Sequence, residues 1–483
     1  PSLVSKRACV LSKSLKNSFD CEEIDKIIRK NGLGPSNIRQ RIIDAPHVAA
    51  YLLKNREVKT TLDRGIQLFV KEALEKQLIS IKSQNAHDAA AIVIENKSGE
   101  VLSYIGGNPD SYVDLVRARR QMGSTLKPFL YAMAIESRYL TAASLIEDSS
   151  IDIPVFSGIY RPRNYDNAFH GKVTLRNALA SSLNIPAVKT LKMVGLDPFV
   201  RKLAELGFGG LAEGEYYGLS LALGSVDFSL WELSRAYLVL ANHGVFKQIR
   251  LKPGINDEEG GKAVFSASTA HIISDILSDR ESRSITFGLE SPLSSSFWSA
   301  VKTGTSKDMR DNFCVGYSER YTVGVWVGNA DGKPMWNVSG VTGAAPAWAE
   351  IMKKLHEKGQ NRRPSVPDGV VSVNGELFLK GTEPNGRLQP LSIEDMAQRA
   401  KIVYPPDGTV IAIDPDIPKE RQRIFPSSRP LSPSLIWYLD DSTVIDQKKG
   451  MAVQKPGKYR LSLRNKNGQT LDTVHFTVVG RGF

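Results

Sequence analysis

At 483 residues the chain has room for about three domains. Its 41% hydrophobic and 24% charged residues exclude a disordered chain or a membrane bundle, and 3 cysteines exclude a disulfide scaffold or a Cys-rich metal site. The net charge of +12 is spread along the chain, with no compact basic block, RNA-binding signature or zinc-finger spacing, so it suits an anionic partner other than nucleic acid.

No apolar run approaches the roughly 18 residues that span a bilayer. A chain that begins at Pro1 without an initiator Met is expected to be a processed or truncated piece, with any targeting segment outside it. The first sixty residues are polar and irregular, with short helices expected at Ser36–Ala45 and Val48–Lys54. Cys9 and Cys21 lie 12 apart and could bridge in an oxidising compartment, but two free thiols are the expectation. Thr61 reads as a helix N-cap, followed by Ile66, Phe69, Val70, Ala73, Leu74 and Leu78 at helical spacing.

A hairpin is predicted next, from Ala91-Ile92-Val93-Ile94 and Val101-Leu102-Ser103-Tyr104-Ile105 about a turn at Lys97-Ser98-Gly99. From about 124 to 290 the pattern is mainly helical. Three strands at short spacing follow, Trp298 to Ser306, Asn312 to Ser318 and Tyr321 to Gly328, which read as an antiparallel meander. A helix at Pro346–Lys358 leads into a Pro/Gly-rich linker, and short strands return after about residue 400. Strands on both sides of a helical middle predict an α+β domain with an antiparallel sheet assembled from distant segments, followed by a small β-sandwich. The expected division is 1–58 as a linker or remnant, 59–360 as the main domain, 361–400 as a linker and 401–483 as the C-terminal β domain.

Three segments carry chemistry. In Gly123-Ser124-Thr125-Leu126-Lys127-Pro128-Phe129, Pro128 fits the first turn of a helix, which puts Ser124 at its N-terminus and Lys127 three residues on along the same face. A serine hydroxyl needs a base, and a lysine made neutral by burial and neighbouring charge can supply one. Ser181-Ser182-Leu183-Asn184 offers a hydroxyl to pass a proton and an amide to orient Lys127 or hold a substrate amide. In Val301-Lys302-Thr303-Gly304-Thr305-Ser306 a strand would place Lys302 and Gly304 on one face and Thr303 and Thr305 on the other. Gly304 there admits close backbone approach and the cation attracts a carboxylate.

Each motif alone is commonplace, but the ordered set Ser-x-x-Lys, Ser-x-Asn, Lys-Thr-Gly resembles that of penicillin-binding proteins and class A β-lactamases. The resemblance extends to class A, bifunctional penicillin-binding proteins through Lys59-Thr60-Thr61-Leu62-Asp63, Asn164-Tyr165-Asp166, Leu221-Ala222-Leu223-Gly224-Ser225 and Thr342-Gly343-Ala344-Ala345-Pro346. Tyr404-Pro405-Pro406-Asp407-Gly408 and Ile413-Asp414-Pro415-Asp416-Ile417-Pro418 are similar to the extra β domain of the 1C type. Met122, Ser225 and Lys307-Asp308-Met309 depart from the usual residues, and the family's glycosyltransferase domain and membrane anchor are expected to lie outside this chain.

The resemblance implies a serine-type D-Ala–D-Ala transpeptidase that cross-links peptidoglycan stem peptides and is acylated by β-lactams. Ser124 would be the nucleophile, Lys127 the general base and Ser182 the proton relay. Asn184 would bind the peptide amide, Lys302, Thr303 and Thr305 the terminal carboxylate, and the N–H groups of Ser124 and Thr305 would form the oxyanion hole. It implies no metal or cofactor, a site on the periplasmic face of the bacterial inner membrane, and a possible protein partner for the C-terminal domain. A D,D-carboxypeptidase and a catalytically idle scaffold or sensor are the alternatives. A β-lactamase needs a deacylating Glu, and of Glu136 and Glu147 neither has an Asn four residues on.

Overall fold

The computed structural model describes residues 9–10, 20–30, 44–53, 57–155, 158–164, 166–254, 261–357, 361–384, 400–413, 423–429, 435–441, 443–445, 450–452, 455–465 and 468–480. The chain divides into two compact units, Pro1–Pro46 and His47–Phe483. In the first, helix α1 (Cys21–Lys30) carries Glu22 and Glu23 in its first turn, where carboxylates favour the helix dipole. Cys9 and Cys21, expected free, are joined in a disulfide with Cα atoms 5.1 Å apart. The sequence spacing was compatible with either state. The expected helix Ser36–Ala45 falls almost wholly outside the described residues.

The second unit opens within α2 (Pro46–Leu52), from His47 on, and continues to α3 (Arg64–Ser80). The cap of α3 is Asp63, not Thr61: Asp63 Oδ1 accepts from Ile66 N at 2.8 Å. Thr61 Oγ1 instead donates to the Val101 and Arg250 carbonyls, tying the chain to the sheet. Strands β1 (Asp88–Glu95) and β2 (Val101–Ile105) form the expected hairpin, and β3 (Ala300–Thr305), β4 (Asp311–Tyr317) and β5 (Tyr321–Gly328) form the meander. They assemble one antiparallel sheet in the order β2-β1-β5-β4-β3. This joins residue 91 to residue 325 and puts β3 at an edge.

One face of the sheet packs on α3 and on α9 (Ala344–Leu355) through Val70, Leu74, Val325, Trp348 and Ile351. On the other face lie α7 (Leu230–Ala241) and α8 (Ala267–Ser278), with α4 (Lys127–Glu136), α5 (Leu175–Ala180) and α6 (Asn184–Val194) in a layer outside them. With both faces covered, β1, β4 and β5 are buried along nearly their whole length, hence their unbroken apolar runs.

The stretch expected to be a linker contains a hairpin, β6 (Val370–Val373) with β7 (Glu376–Leu379), packed against α8. The C-terminal region is β-rich. Strands β8 (Thr409–Ala412), β9 (Ile436–Leu439), β10 (Thr443–Ile445), β11 (Gly457–Arg464) and β12 (Thr470–Val479) form a sheet in the order β8-β12-β11-β9-β10, with β8 parallel to β12. Two two-stranded ribbons accompany it, and Trp437, Leu461, Leu463 and Phe476 form its core.

Candidate active site

The three sequence motifs meet beside the edge strand β3. Gly123–Leu126 is a tight 3-10 turn running into α4, with Pro128 in the first turn of that helix. Ser124 thus sits one turn before the α-helix proper. Gly123 has φ +57, and a Cβ there would lie 2.6 Å from the Thr305 carbonyl oxygen and 2.9 Å from Thr305 N. A Cβ on Gly304 would meet Met122 O at 2.6 Å. Both glycines are required because the Ser124 turn and β3 touch backbone to backbone. That contact sets Thr305 N beside the backbone that leads into Ser124. Gly224 supports the turn from behind, its carbonyl accepting from Gly123 N.

Motif two follows α5. Ser182 has φ +60, uncommon for a serine. In this left-handed conformation its carbonyl accepts from Lys127 Nζ at 2.7 Å while its Oγ accepts from Lys302 Nζ at 2.7 Å. Lys127 Nζ also donates to Leu183 O at 3.1 Å and Asn184 Oδ1 at 2.7 Å, and lies 3.5 Å from Ser182 Oγ. Lys302 Nζ donates in addition to Thr303 O. Ser124 Oγ makes no hydrogen bond among the described residues.

Both lysines are buried, Lys127 at 0% and Lys302 at 2% exposure. Burial first, and then the Lys302 cation, hold Lys127 well below the usual lysine range, against the pull of the Asp148 carboxylate. Burial lowers Lys302 to about 7, and the Arg283 guanidinium adds to this. The carbonyl acceptors around Lys127 favour its ammonium, but full burial beside a second cation outweighs them.

Above the lysines opens a cleft of about 720 Å³, lined by Ser124, Ser182, Asn184, Thr303 and Thr305 together with the apolar Leu223, Phe287 and Val341. Lys302, expected to hold a substrate carboxylate directly, lies behind this lining with its Nζ turned to Ser182. Alternation along β3 sends it inward while Thr303 and Thr305 face the cleft. Thr305 Oγ1 accepts from Gly340 N at 2.9 Å. Asn184 Oδ1 is engaged by Lys127 and its Nδ2 donates to Arg163 O, leaving one lone pair and one N–H for a ligand.

Asn164 and Asp148 belong to the site although no spacing rule marks a catalytic role for them. Asn164 Oδ1 accepts from Asn184 N at 2.8 Å, and its Nδ2 donates to Asp148 Oδ2 at 2.7 Å. Asp148 is fully buried, and its Oδ1 has no hydrogen-bond partner among the described residues. The two glutamates weighed for deacylation are elsewhere occupied. Glu136 caps α8 through Ser266 and Thr269, and the exposed Glu147 pairs with Lys189. Among the described residues no cluster of His, Cys, Asp and Glu is arranged to hold a metal ion, and no helix is long and apolar enough to cross a membrane.

Residues 89–353 match the family described as penicillin binding protein transpeptidase domain, and residues 390–476 match the penicillin-binding protein C-terminus family. Penicillin-binding protein 1C of Escherichia coli K12 is 32% identical over 346 residues, 69% of this chain and 43% of that protein. Penicillin-binding protein 1B of Vibrio cholerae is 30% identical over 68% of this chain and 43% of its own. The chain therefore spans about two fifths of the length of the curated relatives it matches.

Among solved structures, penicillin-binding protein 1A of Haemophilus influenzae superposes with TM-score 0.54 at 23% identity, covering 63% of this chain and 55% of that one. PonA1 of Mycobacterium tuberculosis in complex with penicillin V gives 0.56 at 20% identity, covering 68% and 92%. With a match over more than half its length, and a second over its C-terminal region, the chain belongs to the penicillin-binding protein transpeptidase family.

Proposed function

We propose that this chain is a serine-type D-Ala–D-Ala transpeptidase that cross-links peptidoglycan stem peptides through an acyl-enzyme and is acylated by β-lactams. The observation that carries the reading is the convergence of Ser124, Lys127, Ser182 and Lys302 around one cleft. Neutral Lys127 takes the Ser124 proton as Oγ attacks the carbonyl carbon of the penultimate D-Ala. The N–H groups of Ser124 and Thr305 stabilise the oxyanion. On collapse the C–N bond breaks, Ser182 passes a proton to the leaving D-Ala amine, and Lys127 restores it. An amine of a second stem peptide then attacks the ester carbonyl. Lys127 takes up the amine's proton and returns it to Ser124 Oγ, which leaves as the free hydroxyl. Thr303 and Thr305 hold the terminal carboxylate and Asn184 the peptide amide, with Lys302 acting through its charge from behind.

The same reading places the reaction on the periplasmic face of the bacterial inner membrane. It keeps 59–360 as the transpeptidase domain with the β6–β7 hairpin attached, and gives 401–483 a role in binding a cell-wall synthesis partner. Incubation with a labelled penicillin followed by peptide mapping tests it. A stoichiometric adduct on Ser124 is expected, and a folded protein that forms none overturns the reading. Release of free acyl product without transfer to an amine acceptor would turn it into a carboxypeptidase.

A further inference from the structure

Between the two family matches, residues 361–384 are docked on the transpeptidase fold. Hairpin β6–β7 packs on α8, Phe378 is buried, and a Cβ on Gly369 would lie 2.4 Å from Ser268 Oγ. Glu376 grips Arg176 on α5 with both carboxylate oxygens, Oε2 to Nε at 2.8 Å and Oε1 to Nη2 at 2.5 Å. Arg176 also reaches Asp275 on α8 at 2.7 Å and Asp279 just beyond it at 3.0 Å. Arg363 closes on Asp275 from the other side. The side chains of Arg176, Asp275 and Glu376 are only 13%, 8% and 13% exposed, so bulk water screens these charges weakly.

This cluster runs to the second motif. Asp279 accepts from Ser282 N at 3.0 Å and from Ser282 Oγ at 2.8 Å. The Ser282 carbonyl in turn accepts from Ser181 Oγ at 2.7 Å. The next residue is Ser182, whose left-handed backbone aims its carbonyl at Lys127 and its Oγ at Lys302. A serine keeps φ near +60 only where its surroundings over-determine it. Arg176 secures those surroundings twice, through α5, whose end leads into Ser181, and through Asp279 and Ser282.

We propose that Glu376 is a positioning residue for acyl transfer: by gripping Arg176 it fixes the short helix α5 and the Asp279–Ser282 turn beside it, and so holds Ser182 between Lys127 and Lys302. The segment leading to the C-terminal region is thereby part of the working site. This rests on the transpeptidase reading above. Glu376 does not touch the reacting atoms, so its effect falls on the acylation step and not on capture of the ligand.

The test uses the full chain with Glu376→Gln, Glu376→Asp and Glu376→Ala, a fluorescent penicillin in stopped flow, and a thermal melt of each variant. Without the Glu376 charge, Arg176 and Arg363 still face Asp275 and Asp279, two charges against two, so Glu376→Gln is expected to fold. Its acylation rate constant at saturation should fall about tenfold while the dissociation constant of the pre-covalent complex stays within about twofold. Glu376→Asp should recover part of the rate. An unchanged saturating rate in folded Glu376→Gln overturns the proposal. So does loss of rate only in step with loss of folded protein in all three variants, which would make the pair merely structural. A wild-type chain that forms no Ser124 adduct would instead overturn the transpeptidase reading itself.

Discussion

Lys302 Nζ donates to Ser182 Oγ across 2.7 Å, while Lys127 Nζ stands 3.5 Å from the same oxygen. The hydroxyl spends one lone pair on the nearer cation, and its own proton remains free to turn toward the cleft. A hydroxyl held in this way can donate to a leaving amine and accept from a lysine, which is what a proton relay needs. The same arrangement gives Lys302 two effects at once. It holds the Ser182 oxygen in place and puts positive charge beside Lys127.

Ser124→Ala is expected to abolish the penicillin adduct, read by intact-protein mass spectrometry. Because Ser124 Oγ makes no hydrogen bond among the described residues, its loss should change stability by no more than about 0.5 kcal/mol. A persisting adduct would assign the nucleophile elsewhere.

The sheet was legible in the sequence where apolar runs were bounded by turn residues, as in Ala91–Ile105 and Tyr321–Gly328. Its pairing of residue 91 with residue 325 was not, because register between distant strands is set by tertiary packing. The three motifs were legible as short spacings. What could not be read was how they divide the work. Lys302 lies behind the cleft because β3 packs its inward face on α8, and Asp148 enters through Asn164, which no periodicity reveals. Thr61 reads as a cap from its hydroxyl, and the geometry of the first turn gives that place to Asp63. The Arg362–Gly369 composition reads as linker, yet Arg363 within it pairs with Asp275 on α8, and Glu376 of the hairpin that follows pairs with Arg176 on α5.

Gly123→Ala should disable the site through its backbone. The residue needs φ +57 and a Cβ would meet Thr305 O at 2.6 Å, so either the turn or β3 must move. A loss of stability on the order of 3 kcal/mol is expected, from left-handed strain plus the steric clash. The acylation rate should fall at every pH, since the Ser124 and Thr305 amides separate. Equal melting temperatures for variant and wild type would show that the contact relaxes without cost.

Lys302→Met should exchange activity for stability in a pH-dependent way. The folded-state pKa of Lys302, about 7, lies below its unfolded value of 10.5. Above pH 10.5 neither state is protonated and the buried lysine carries no penalty. As pH falls from 10.5 toward 7 only the unfolded chain binds the proton, so stability drains away, and below 7 the loss is constant. Near pH 8 the penalty is on the order of 3 kcal/mol. The methionine variant should therefore melt higher than wild type at pH 8, with the gap closing as pH approaches 10.5. A gap that does not change with pH would show that Lys302 titrates alike in both states.

The acidic limb of the acylation rate should move in opposite directions for two neighbours of Lys127. Acylation needs the neutral amine, so the rate falls as pH drops through the Lys127 pKa. The Lys302 cation lowers that pKa and the Asp148 carboxylate raises it. Lys302→Ala removes the repulsion, so Lys127 holds its proton to higher pH and the limb shifts to higher pH. Asp148→Asn removes the attraction, and the limb shifts to lower pH. The asparagine can still accept at its side-chain oxygen from Asn164 Nδ2 and His170 N, which are 2.7 and 3.0 Å from Asp148 Oδ2, so the geometry around Asn184 should survive. Single-turnover acylation by a labelled penicillin between about pH 5 and 9 reads both limbs. An overall fall in rate without movement of the limb, in either variant, would mean that the residue acts on geometry alone and that its charge is not felt at Lys127.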